Sequence, residues 1–194
     1  MRIISGINKG QKLLSPQINS IRPTSDRIRE SIFNIITYIK KPDDSPFLLE
    51  GSNVLDCFAG TGALGFEALS RGAYSLTCLE NDKNSCELIY KNALKLSQEQ
   101  KTFIYHYDAS HIGDSTLNPI NPYNLVFMDP PYKKGHLIGP TLQGLYKKSW
   151  LALFSLIIIE THKNEKINWP LHFSVSKEKI YGQTKIIFLY LTIK

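Results

Sequence analysis

What this chain has little of narrows its possibilities first. It carries three cysteines in 194 residues, Cys57, Cys78 and Cys86. Their number is odd and their spacing suits neither a disulfide framework nor a metal knuckle. They are therefore expected to be reduced thiols in or near the core of a cytoplasmic protein, with no metal site. Long apolar runs are missing too: the longest, Leu151 to Ile159, is interrupted by Ser155. With no apolar signal segment at its start, the chain is expected to be soluble and to have no membrane partner. There is no internal repeat and no low-complexity tract. Acidic residues are scarce at one end. Up to Lys41, only Asp26 and Glu30 oppose Arg2, Lys9, Lys12, Arg22, Arg27, Arg29, Lys40 and Lys41, and that surplus equals the protein's whole net charge of +6. Charge segregated in this way points to a polyanionic partner, the plainer alternative being a solvated basic face. The remainder, 42% hydrophobic and 21% charged, has the composition of an ordinary globular domain with a sizeable core.

What is present is organised around Asn124 to Tyr132, Asn-Leu-Val-Phe-Met-Asp-Pro-Pro-Tyr. The apolar run Leu125 to Met128 fits a strand buried on both faces. Pro130 and Pro131 have no N–H to give a ladder, so the strand must stop at Asp129. A carboxylate and an aromatic ring are thereby held at a strand's C-terminal edge, where open α/β sheets bind ligands. Around this stretch, strands are expected at about Val54–Asp56, Leu76–Leu79, Phe103–Tyr107, Asn124–Met128 and Phe154–Ile159. Helices are expected from the glycine loop to Arg71, with Gly72 as C-cap, and over Asn84–Ser97 and Pro140–Lys148. In the middle helix Leu88, Ala93, Leu94 and Leu96 are the inward candidates. Phe173–Ile180 and Thr184–Leu191 read as a hairpin turning at Gly182. At the other end, Arg2–Ser5 and Gln11–Leu14 read as two short strands about a Gly6–Gly10 turn. A helix then opens at Pro23, capped by Thr24 or Ser25, with an apolar stripe of Ile28, Ile32, Ile35, Ile36 and Ile39. Lys40–Ser52 reads as a linker. The alternation implies an α/β fold, a mostly parallel, doubly wound, seven-stranded sheet with a C-terminal β-hairpin, preceded by a small N-terminal β-hairpin plus helix. The expected division is residues 1–22, a basic hairpin, and 23–194, the main domain.

The chemistry suggested by Asp129-Pro-Pro-Tyr132 is methylation of a planar amine. The nitrogen of such an amine is a poor nucleophile because its lone pair is delocalised. A carboxylate and a proline carbonyl can accept its two N–H bonds and turn the lone pair towards a donor, while Tyr132 stacks on the flat ring. Catalysis would come from alignment and preorganised dipoles. The alternative is a rigid turn with Asp129 as a local acceptor. Gly60, Gly62 and Gly65 satisfy G-x-G-x-x-G, and Glu80 ends the next strand, a pattern that also fits a dinucleotide. Asp56 separates the two: a carboxylate just before the glycines repels a pyrophosphate but suits the cationic end of S-adenosylmethionine. Asp108 is placed to accept from an adenine amino group, or to cap a short helix.

Together the glycine motif, Glu80-Asn-Asp82, Asp108-Ala109 and Asp129-Pro-Pro-Tyr132 resemble class I S-adenosylmethionine-dependent N-methyltransferases. Arg2-Ile-Ile-Ser-Gly6, Lys9-Gly10, Lys12-Leu13, Arg22-Pro-Thr-Ser-Asp-Arg-Ile-Arg-Glu30, Asp56-Cys-Phe-Ala-Gly60, Glu67-Ala-Leu-Ser-Arg71 and Lys179 to Gln183 narrow the resemblance to the bacterial 16S ribosomal RNA guanine-966 N2-methyltransferases. The resemblance implies a Rossmann-like domain, with an N-terminal hairpin that docks RNA and transfer of one methyl to a guanine N2 in 16S rRNA of the small (30S) ribosomal subunit. It implies that Asp56, Phe58, Gly60, Gly62, Glu80, Asn81, Asp108 and Ala109 hold S-adenosylmethionine. Asp129, Pro130, Pro131 and Tyr132 would hold the flipped guanine, and Lys9, Lys12, Arg22, Thr24, Arg27 and Arg29 would meet RNA. Gln11 stands where the family often has a base, and Tyr132 where Phe is frequent. A monomer is expected. The competing readings are a DNA adenine or protein-glutamine N-methyltransferase and a non-catalytic RNA-binding assembly module. The first normally needs a longer recognition segment than Pro131–Pro140. Glutamine enzymes usually carry Asn at the position of Asp129. The third has no use for Asp56, Glu80 and Asp129 together.

Overall fold

The structure, a computed structural model, describes residues 1–15, 26–114, 116–131 and 134–192. Helix α1 (Asp26–Tyr38) precedes a run of alternating elements: β1 (Asn53–Asp56), α2 (Ala63–Ser70), β2 (Ser75–Glu80), α3 (Lys83–Lys95), β3 (Thr102–His106), β4 (Tyr123–Met128), α4 (Ile138–Lys147) and β5 (Leu151–His162). The hairpin β6 (Phe173–Tyr181) and β7 (Thr184–Leu191) follows. The described strands form one seven-stranded sheet in the order β3-β2-β1-β4-β5-β7-β6. Neighbours from β3 to β5 are parallel, while β7 runs antiparallel between β5 and β6. The winding direction reverses between β1 and β4, and that reversal opens a crevice at their C-terminal ends.

Burial of the central strands on both faces explains their unbroken apolar sequence. Val54, Leu76, Leu125 and Leu156 face a layer made by α1, α2 and α3, and Leu55, Val126 and Ile157 face Ile138, Leu142 and Leu145 of α4. Residues 1–15 have no core of their own, and Ile3 and Leu13 join the first layer.

Several local expectations change. The two N-terminal strands reduce to one antiparallel bridge, Arg2 to Lys12. The ribbon is held down by side chains instead. Glu67, wholly buried, accepts the N–H groups of Ile4 and Ser5 at 2.7 and 3.0 Å and the Nε of Arg71 at 2.7 Å. Ser70 Oγ accepts from the Asn8 N–H at 3.0 Å and donates to the Ser5 carbonyl at 2.5 Å. At Gly6 the backbone has φ +83° and passes so close to α2 that a Cβ would lie 1.7 Å from the Ser70 oxygen. The apolar stripe of α1 packs on the core as expected but is wider, taking in Arg29 and Phe33. Its fully buried seam is Arg29, Ile32, Phe33 and Ile36, so a guanidinium takes a core position. In α3, Leu94 is exposed, and Ile89 and Asn92 point inward with Ala93. Lys40–Ser52 is a packed loop rather than a free linker, with a Lys40–Pro46 bridge and Phe47 buried. Arg71 is the C-cap of α2, and Gly72 follows it at φ +102°. The expected helix start at Pro23, Thr24 and Ser25 lies outside the described residues.

Candidate active site

The site assembles from strand ends. Asp56 is the last residue of β1 and Glu80 of β2; Asp108 and Asp129 each follow a strand closely, and Glu160 lies near the end of β5. All five line one cleft of about 1170 Å³. Of the residues expected to hold a cofactor, the cleft also receives Phe58, Gly60, Asn81 and Ala109. Gly62 does not line it. At φ +75° it makes the turn into α2, where a Cβ would lie 2.6 Å from the Phe66 ring.

The two carboxylates flanking the glycine loop differ in their surroundings. Glu80 joins loop and strand: one oxygen accepts from the Gly60 N–H at 2.8 Å, the other from the Asp82 N–H at 2.9 Å. A carboxylate oxygen has two lone pairs, so each retains one for a ligand hydroxyl. Asp56 is almost wholly buried at the cleft floor, and burial is the main cause that pushes its carboxyl up to about 7. The negative charge of Glu80 acts in the same direction, against a hydrogen bond from the Gly65 N–H. A carboxylate withdrawn from water in this way is relieved by a cation, and the chemistry of the cleft therefore fits the ammonium and sulfonium of S-adenosylmethionine. Asp108 is partly committed to structure. One of its oxygens accepts from the N–H and the Oγ of Ser110 at 2.9 and 2.7 Å, so it caps the short helix Ala109–Asp114. Burial works to raise the Asp108 pKa, but the Ser110 bonds and the charges of His111 and Lys134 leave it lowered.

On the other side β4 stops at Met128, as the two prolines require. Asp129 is half-buried and Pro130 buried, and the Lys134 N–H donates to the Pro131 carbonyl at 2.9 Å. Tyr132 lies outside the described residues, as do Arg22 and Thr24. Lys9, Lys12 and Arg27 are exposed. Arg29 needs correction as an RNA contact. Its side chain has no exposed area, and it donates to the Arg2 carbonyl at 2.6 Å and to Asp26 at 2.8 Å. It holds the N-terminal ribbon to α1 and cannot meet a phosphate from there.

The cleft also contains residues that sequence reasoning did not place in the site: Glu160, Thr161, His162 and Glu165 at and beyond the end of β5, and Thr184 at the hairpin turn with Gln183, which figured only as the end of a family motif. Their signal was available in principle, because β5 obeys the same strand-end rule as β1 and β4. Gln183 arrives because an antiparallel β7 must start at the edge where the parallel strands end.

Comparison with known proteins agrees with this geometry. A family described as "Conserved hypothetical protein 95" matches residues 1–190. Ribosomal RNA small subunit methyltransferase D of Escherichia coli strain K12 is 35% identical over 184 residues, covering 94% of this chain and 86% of that protein. The protein of the same name from Haemophilus influenzae is 37% identical over 187 residues, covering 94% and 89%. The solved Escherichia coli protein yhhF superposes with a TM-score of 0.83 at 32% identity, over 100% of this chain and 99% of that one. The fold shared with these relatives is the Rossmann-like, class I methyltransferase fold.

Proposed function

The chain belongs to the family that matches it along residues 1–190, together with the ribosomal RNA small subunit methyltransferases D, and from that premise we propose that it methylates the exocyclic N2 amine of a guanine in 16S ribosomal RNA. The observation that carries this reading is the meeting, in one cleft and at the ends of the paired strands β1 and β4, of buried Asp56 and of Asp129 with its two prolines. When bound, S-adenosylmethionine supplies a methyl group activated by a sulfonium. Asp56 gives its cationic end a counter-charge, Glu80 grips its ribose, and Asp108 and Ala109 border its adenine.

Asp129 and the Pro130 carbonyl orient the amine. A guanine presents N1–H and N2–H₂ as adjacent donors, which one carboxylate accepts together, whereas adenine has an acceptor beside its amine. Fixing those protons orients the amine so that its lone pair, which is normal to the ring, faces the methyl donor, and alignment supplies most of the rate. The amine proton becomes acidic only after the new bond forms, so Asp129 holds it and no strong base is required. Tyr132 stacks on the base, which must be flipped or unpaired to reach the cleft. Lys9, Lys12 and Arg27 give the RNA backbone its counter-charge. The working species is a monomer acting on small ribosomal subunits in the cytoplasm.

The test is methyl transfer to unmodified small subunits and to naked 16S rRNA, with product nucleosides identified by mass spectrometry. N2-methylguanosine is expected with the wild type and not with Asp129→Ala. Tight cofactor binding with no methylated nucleoside would keep the fold and overturn the substrate.

A further inference from the structure

Asn92 occupies a place where the buried seam of α3 calls for an aliphatic side chain. It lies among Ile89, Ala93 and Leu96 with no exposed area. A buried amide is tolerated only where its hydrogen bonds are made. Asn92 makes three, to two segments far apart in sequence. Its Oδ1 accepts from the Leu14 N–H at 2.7 Å, and its Nδ2 donates to the Leu14 carbonyl at 3.2 Å and to the Thr61 carbonyl at 3.1 Å. The amide thus pairs with Leu14 as a neighbouring strand would, and with its remaining proton holds the glycine loop.

Both tied segments border the cleft. Met1 and Ser15 line it beside Gly60 and Thr61, and Thr61 Oγ1 donates to the Met1 sulfur at 3.8 Å. The ribbon has other anchors: Glu67 at Ile4 and Ser5, Ser70 at Asn8, and Asn8 itself, which donates to the Leu96 carbonyl at 3.0 Å. Asn92 is therefore not the sole means of docking the ribbon. What it adds is a rigid joint between the chain leaving the exposed Lys12 and the loop that receives the cofactor.

We infer that Asn92 is a positioning residue through which RNA bound at the N-terminal basic segment raises the affinity of the glycine loop for S-adenosylmethionine. This rests on the methyltransferase reading above. Occupancy of the ribbon restrains Leu14, Leu14 restrains the Asn92 amide, and the amide restrains Thr61 next to Gly60. By linkage the cofactor must tighten RNA binding by the same factor.

The experiment measures binding of S-adenosylhomocysteine, which has no methyl to transfer, by calorimetry with and without unmodified 16S rRNA. RNA is expected to tighten it about fivefold or more in the wild type and less than about twofold in Asn92→Leu. With saturating RNA, the variant should show a raised KM for S-adenosylmethionine at nearly unchanged kcat. A lowered kcat at unchanged KM would mean only a loss of folded enzyme and would overturn the inference, as would wild-type coupling in the variant. If Asn92→Leu does not fold, Asn92→Asp serves. It keeps the acceptor for the Leu14 N–H, loses the donors to the Leu14 and Thr61 carbonyls, and should lose the coupling likewise. A wild type that methylates RNA but whose cofactor affinity ignores RNA overturns this inference alone; a wild type that binds no cofactor overturns the methyltransferase reading with it.

Discussion

On the β1–β2 side of the cleft the carboxylates are built into the backbone around them, while on the β4–β5 side they stand where chain segments leave the sheet. Glu80 bonds the glycine loop and the start of α3, Asp108 caps a helix, and Asp56 is buried. Asp129 is placed by the end of a strand and two prolines. Near it, Glu165 accepts from Thr161 Oγ1 at 3.0 Å, and Gly135 packs so tightly that a Cβ would lie 2.1 Å from the Glu165 carboxylate. One wall thus ties its carboxylates to the glycine loop and to helix starts, while the other carries Asp129 just past the end of β4 and Glu160 near the end of β5. The difference suits a small, invariant cofactor on one side and a flipped nucleotide of a large RNA on the other.

Removing a carboxylate from each wall should separate the two roles most clearly. Asp129→Ala is expected to lower methyl transfer by about 10³-fold while changing cofactor affinity less than about twofold, by calorimetry. A large loss of cofactor binding would show that Asp129 belongs to the opposite wall. Asp56→Asn is expected to do the converse. Cofactor affinity should fall about 10- to 100-fold, the worth of a charged hydrogen bond, with much of the turnover recovered at saturating cofactor.

Acidity sharpens the comparison further. The Asp56 pKa lies at about 7, above its ordinary 3.8. A cation selects the ionised form, so cofactor affinity should fall by up to about tenfold per pH unit below about 7 and level off above it, with proton release on binding. Asp56→Asn should flatten that profile, and an unchanged slope would assign it to another group. The sign for stability is opposite. In cofactor-free protein the folded state holds a proton that the unfolded chain has already lost, so Asp56 costs stability as pH rises from about 4 to about 7. Cofactor should then raise the melting temperature more at pH 8 than at pH 6. The smallest effect is expected outside both walls. Charge reversal at Lys9 or Lys12 should weaken RNA binding and lower the salt slope by about one per lost phosphate contact, with cofactor affinity unchanged in the absence of RNA. An unaltered slope would take the ribbon out of the RNA interface.

The strands of the mostly parallel sheet, their ends and most of the carboxylates on them were legible because each follows from local pattern: apolar runs stopped by proline, glycines before a helix, acids at strand termini. Buried polar groups were not. Glu67, Asn92 and Arg29 satisfy partners some 27 to 78 positions away, at Ile4, Leu14 and Arg2. No periodicity within a helix reveals such a partner. Arg29 looked like a surface cation because guanidinium groups are seldom buried without partners, and one of its two partners, the Arg2 carbonyl, lies in the ribbon. Leu94 was misplaced for the matching reason, since Asn92 took the inward position that hydrophobicity alone would assign to leucine.

The antiparallel β7 has a bearing on how the chain is made. It comes last among the described strands in sequence, yet it pairs on one side with β5 and on the other with β6. A nascent chain synthesised as far as β6 therefore has a long β5, bearing the apolar Ile157, Ile158 and Ile159, as an open edge. Such an edge templates pairing with other chains. Premature termination near Gln183 removes an inner strand rather than trimming a border, and the product is expected to aggregate instead of persisting as a shortened enzyme.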